Sequence, residues 1–173
     1  MSNLEQLKLR LPEHAKDQRL NLGVLGSSTV LSPPQAWLIG VACANATKNK
    51  SVIEAIEADA TELAPETVTA GRGAAVVMGM NNVYYRFVHF MSDGGEDDYG
   101  KLPAKLRMQF IGNPGVPKLD FELACLAASA ITGCENCVRA HEKSVRDAGG
   151  SREMVQDAVR IAAVLNATAV ALP

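Results

Sequence analysis

Cys134 and Cys137, with two residues between them, and His141, four residues further on, are the side chains in this sequence best suited to chemistry. On a helix, positions i, i+3 and i+7 share a face, so the spacing predicts that all three point the same way. Thr132-Gly133 just before them reads as a break, which puts the cysteines in the first turn of a new helix. The positive end of the helix dipole favours thiolate there, making Cys134 or Cys137 a candidate nucleophile. His141 can take up the thiol proton and later supply it to a leaving oxygen. Glu122, set among Phe121, Leu123, Ala124 and Cys125, is predicted to be buried and to orient the imidazole directly or through water.

Two thiols at this spacing fit the thiol oxidation ladder. One thiolate attacks a peroxide oxygen to give a sulfenic acid, and the other condenses with it to a disulfide that an external dithiol reduces. Exchange of disulfides with a partner is the second redox use of the same pair. Zinc is a competing reading, with Cys134, Cys137 and His141 as three ligands and Glu122 the only nearby fourth. Plain packing of two buried cysteines and a helix-face histidine is another. Cys43 and Cys125 stand alone in apolar stretches and read as core, and His14 and His89 have no evident partner.

The elements that must hold this site read as helices. The 173 residues suit a single domain spanning 1–173, and 47% are hydrophobic while only 5% are aromatic, as in closely packed Ala-, Val- and Leu-rich helices. No segment alternates as a strand does, so the expected fold is all-α. The net charge of −2, without runs of one sign, offers nothing to nucleic acid or to an anionic membrane. Charges every few residues in 1–12 interrupt what a signal peptide would need, which predicts a cytoplasmic protein. The apolar run Ile161 to Leu172 contains Asn166, is too short to span a bilayer, and reads as a buried helix.

In chain order, Leu4, Leu7 and Leu11 recur at helical spacing. Ser32 and Pro33 open a helix that is apolar on almost every side from Ala36 to Ala44, with Trp37 in the core. Ser51 to Leu63 has Val52, Ile53, Ile56, Ala60 and Leu63 on one face, and Pro65 opens a further helix that Gly79 is expected to divide. Ser92 to Gly100 is acidic, glycine-rich and predicted to be a mobile loop. Another helix is expected from near Pro103, with Leu106, Phe110 and Ile111 on its apolar side. Asn113 to Pro117 reads as a turn before the helix Leu119 to Ile131. The site helix follows as far as Gly149-Gly150, and Ser151 caps the last one. Laying Gly79 on Gly133, an offset of 54, aligns helix, glycine and helix in both segments. This suggests an internally duplicated helical hairpin, degenerate over about 65–91 and active over about 119–145.

Phe-Glu-Leu at 121–123 followed by Gly-Cys-x-x-Cys-x-x-x-His at 133–141 resembles the carboxymuconolactone decarboxylase/AhpD-like superfamily. Leu11 to Asp17 with Leu20-Asn21-Leu22, Met78 to Arg86, Leu106-Arg107-Met108 and Asn113 to Lys118 extend the similarity over nearly the whole chain. The resemblance implies an all-helical homo-oligomer, commonly a trimer, with thiol-dependent peroxidase activity toward alkyl hydroperoxides. It implies that Cys137 reacts with peroxide, that Cys134 resolves, and that His141 and Glu122 relay protons. No bound cofactor is implied; the redox group is the Cys134–Cys137 disulfide. The implied partners are a dihydrolipoyl donor protein and a peroxiredoxin, and a decarboxylase is the alternative within the superfamily. Asn136 stands where the resemblance leads to a second histidine, which bears on the proton relay.

Overall fold

A computed structural model of the chain describes residues 1–92 and 99–172. Its elements are helices α1 (Asn3–Arg10), α2 (Lys16–Asn21), α3 (Val24–Ser27), α4 (Pro33–Thr47), α5 (Lys50–Leu63), α6 (Pro65–Ser92), α7 (Gln109–Gly112), α8 (Lys118–Thr132), α9 (Glu135–Asp147) and α10 (Arg152–Ala171). There is no strand among the described residues, and the fold is all-α. Most of the acidic loop expected at 92–100 lies outside the described residues.

The centre is α4. Ser32 and Gln35 form a reciprocal capping box, the Ser32 hydroxyl accepting from the Gln35 N–H and the Gln35 side chain accepting from the Ser32 N–H, with Pro33 in the first turn. Every residue from Ala36 to Ala44 is buried because α5, α6, α8 and α10 surround the helix. A Cβ built on Gly71 of α6 would lie 2.7 Å from the Val41 side chain, so the α4–α6 contact depends on a missing side chain. In α5, Val52, Ile56 and Ala60 are buried as the pattern predicts, but Leu63 is 65% exposed. Asp59, which that pattern places off the face, is buried instead. It accepts from the Asn3 N–H at 2.9 Å and the Leu4 N–H at 2.8 Å, tying the start of α1 to α5.

Two expectations are corrected. Gly79 does not divide a pair of helices: α6 runs unbroken for 28 residues. One helical glycine costs only about 1 kcal/mol, and packing on α4 and α8 outweighs that. No helix begins at Pro103: a short 3-10 turn at Tyr99–Lys101 ends before it, Lys105 takes a left-handed φ of 52°, and the next α-helix is Gln109–Gly112. The apolar run from Ile161 lies in a buried helix as expected, although α10 as a whole, at 20 residues, is long and apolar enough to cross a membrane by length and composition. Its Asp157, Ala158, Ile161, Ala162, Leu165 and Thr168 are nevertheless buried, and it packs on α4 and α8.

Candidate active site

The site is made by a backbone break. α8 ends at Gly133, whose φ of +69° is open to glycine at no steric cost. Gly133 N–H donates to the Ala130 carbonyl, and Cys134 N–H reaches back to the Ser129 carbonyl at 3.3 Å, the bonding of a Schellman cap. Cys134 thereby becomes the N-cap of α9, with its carbonyl accepting from the Val138 N–H at 2.9 Å. It sits one residue outside the helix instead of within its first turn, while Cys137 lies inside that turn. The two are joined by a disulfide with Cα atoms 5.3 Å apart, and both are buried.

α6 holds this turn from the side. Asn82 donates from Nδ2 to Thr132 Oγ1 at 2.7 Å and accepts from the Ser129 hydroxyl at 3.1 Å. Arg86 donates to the Thr132 carbonyl at 2.7 Å. The carbonyl of the last residue of α8, which has no helical partner, is thus satisfied.

Glu122 of α8 and His141 of α9 meet as the sequence predicts. Glu122 Oε2 is 2.7 Å from His141 Nδ1, and the two side chains are 9% and 16% exposed. The other ring nitrogen, Nε2, lies 3.1 Å from the Met78 sulfur on α6. A carboxylate and a thioether both accept, so an imidazolium satisfies both contacts as donor. Cys137 and His141, four residues apart, line one pocket of about 450 Å³ with Asn81, Tyr85, Met108, Asn136 and Ala140. Its walls are mostly apolar. A larger cleft of about 580 Å³ lies between the α2–α3 region and α10 and contains no cysteine, so size does not mark the reactive site.

Cys43 and Cys125 are free and buried, as expected of core cysteines. Burial pushes both thiols well up, and the nearby Glu122 adds to the effect at Cys125. They are therefore poor nucleophiles beside the α9 pair. Among the described residues no group of three or more His, Cys, Asp or Glu side chains converges to hold a metal ion. His89 has a neighbour that the sequence did not suggest, with Nε2 3.7 Å from Glu135 Oε2. Met78, Asn81, Tyr85 and Met108 were not singled out for the site from sequence. The signal available was the i, i+3, i+7 spacing of the first three, which puts them on one face of α6.

The pattern of the carboxymuconolactone decarboxylase family matches residues 97–172, a span containing both cysteines, Glu122 and His141. Proteins named alkyl hydroperoxide reductase AhpD align over nearly all of the chain. Those of Rhodospirillum centenum and Gluconacetobacter diazotrophicus are each 52% identical over 171 residues, covering 98% of this chain and 90% and 92% of their own lengths. The protein of Methylocella silvestris is 50% identical, with 98% and 94% covered. At such identity over almost its full length, the chain belongs to the AhpD family.

Proposed function

We propose that the chain reduces alkyl hydroperoxides through a dithiol–disulfide cycle of Cys134 and Cys137. The observation that carries this is the shared pocket: Cys137 and His141 line one apolar cleft, and Cys134 lies behind it, bonded to Cys137. That arrangement supports Cys137 as the residue that meets peroxide and Cys134 as the one that resolves. In the reduced protein the Cys137 thiolate, favoured by the N-terminus of α9, attacks the terminal oxygen of the hydroperoxide. The O–O bond breaks, an S–O bond forms, and the departing alkoxide takes a proton from the His141 imidazolium to leave as alcohol. Neutral His141, oriented by Glu122, then accepts the Cys134 thiol proton. Cys134 attacks the Cys137 sulfur, the S–O bond breaks as the disulfide forms, and the sulfenic OH leaves as water with the proton returned by His141. An external dithiol restores both thiols by exchange and is itself oxidised to a disulfide. The apolar walls of the cleft suit an alkyl group.

We assign the reducing role to a dihydrolipoyl group on a donor protein, and a peroxiredoxin as a second acceptor of electrons from the pair. Names of relatives supply the alkyl hydroperoxide; the donor rests on the resemblance alone. The outward face of α6, with Val76, Val83, Phe87 and Phe90 exposed, is the surface we assign to contact between copies in a homotrimer, and we place the protein in the cytoplasm. Mass spectrometry after one equivalent of cumene hydroperoxide tests the cycle. Loss of two hydrogens in the peptide bearing Cys134 and Cys137 supports it, and zinc in the native mass of the reduced protein overturns it. Cys137→Ser should abolish peroxide consumption, while Cys134→Ser should accumulate a sulfenic acid; the opposite pattern exchanges the two roles. Faster reduction of the oxidised protein by dihydrolipoamide than by thioredoxin or glutathione would support the lipoyl assignment.

A further inference from the structure

Two adjacent asparagines on α6 are treated very differently by the fold. Asn82 is buried with its amide oxygen and nitrogen both bonded to α8. Asn81, 7% exposed, lines the pocket of Cys137 and His141, and its Oδ1 is buried with no hydrogen-bond partner among the described residues. Gln18 Oε1 is another such oxygen among the described residues, and Gln18 does not line that pocket. Buried amide oxygens are almost always satisfied, so an unpartnered one on a residue that shares a pocket with Cys137 marks a place where a donor can arrive. The protein is in its disulfide form, and a disulfide carries no hydrogen. A hydroperoxide or a sulfenic acid, the O–H species of the cycle, would each bring such a donor.

We infer that Asn81 is a substrate-binding residue whose Oδ1 accepts the O–H of the hydroperoxide, and then the O–H of the Cys137 sulfenic acid. This rests on the peroxidase reading given above. The hydrogen stays on the same oxygen throughout: thiolate attack moves the terminal OH of the hydroperoxide to sulfur, so one acceptor can hold it before and after the O–O bond breaks. Held there, the terminal oxygen faces Cys137 while the alkoxide oxygen faces His141, which supplies its proton. Asn81 reaches the pocket by rotation about its terminal torsion, which is soft and broad in asparagine. Tyr85 lines the pocket beside it on the same face of α6, and Met78, also on that face, touches His141 Nε2.

The test separates the two halves of the cycle in the full chain. Protein reduced with dithiothreitol is mixed with cumene hydroperoxide and quenched with an alkylating agent to follow thiol loss, and in parallel the disulfide form is reduced with dithiothreitol. Asn81→Ala and Asn81→Leu should each slow the peroxide step about tenfold, the weight of one hydrogen bond. Disulfide reduction, which involves no O–H, should change less than twofold. Asn81→Leu should melt no lower than wild type, because it removes an unsatisfied oxygen. Wild-type peroxide rates in both variants overturn the assignment of Asn81, as does equal slowing of both steps or a lower melting point that accounts for the loss. An inactive wild type overturns the peroxidase reading itself, a separate outcome.

Discussion

Residues 65–91 and 119–145 lie on each other at an offset of 54, with Gly79 on Gly133, Met80 on Cys134, Val83 on Cys137 and Phe87 on His141. Their structures part at the glycine. α6 passes Gly79 without interruption, so Val83 and Phe87 stay on a face that is 62% and 45% exposed. α8 stops at Gly133, where φ is positive, and the chain restarts as α9 with Cys134 capping it and Cys137 turned inward. The same spacing gives an outward face in one segment and a pocket in the other. The backbone break supplies a helix N-terminus, with its free N–H groups and positive dipole, beside the cysteines, which an unbroken helix cannot. α6 contributes through its other face, bringing Asn81 and Tyr85 to the pocket, Met78 to His141 and Asn82 to the turn.

The largest effect that tests this contrast is at the matched pair His141 and Phe87. His141→Gln should slow peroxide consumption about a hundredfold, as expected on loss of a general acid and base, while Phe87→Leu should change it less than twofold. Equal losses, measured as peroxide decay under the same dithiol, would mean that the two segments are not functionally distinct. Next comes Asn82→Ala, which strips partners from Ser129 and Thr132 at the break. About 1–3 kcal/mol of stability should be lost in urea unfolding. No loss would show that α6 does not hold the turn.

Much of the site was legible because its signals are local. The cysteine pair, the histidine one turn on, and a carboxylate flanked by Phe121, Leu123 and Ala124 each carry their meaning within a few positions. α4 was legible too, because a helix surrounded on all sides must be apolar all round. What was not legible depended on tertiary packing. Nothing in the local sequence says that α6 continues through Gly79, since the cost of one glycine is small against the burial gained on both sides. Lys105 has no composition that announces a left-handed conformation. Asn81 and Asn82 are identical by type, and only the position of α8 makes one structural and leaves the other open. Asp59 looks like a solvent-face acid until α1 delivers its backbone N–H groups to it.

A smaller effect separates the two glycines. Gly79→Ala places a Cβ in open space on a regular helix and should raise stability by roughly 0.5–1 kcal/mol. Gly133→Ala also meets no neighbour, but its positive φ should cost about 1 kcal/mol. Thermal melts of the two variants should therefore shift in opposite directions. Shifts of the same sign would remove the difference in backbone on which the contrast rests.

The smallest effect concerns how α6 is anchored away from the site. Arg72 of α6 donates from its guanidinium to both carboxylate oxygens of Glu57 on α5, and Asn45 of α4 donates to the same carboxylate at 2.8 Å. The hydrogen bond from Arg72 holds the Glu57 carboxyl below its ordinary 4.5, with partial burial opposing and Asn45 assisting. A depressed folded value means that the pair stabilises fully above the ordinary value and loses its contribution as pH falls through the folded one. Arg72 is half exposed, so solvent screening limits the contribution to under about 1 kcal/mol. Arg72→Ala should therefore lower the urea midpoint slightly at pH 7, and the gap from wild type should narrow as the pH falls below the ordinary 4.5 and close below the depressed folded value. A gap that persists in acid would mean that Arg72 holds α6 on α5 by packing of its aliphatic stem instead of by charge.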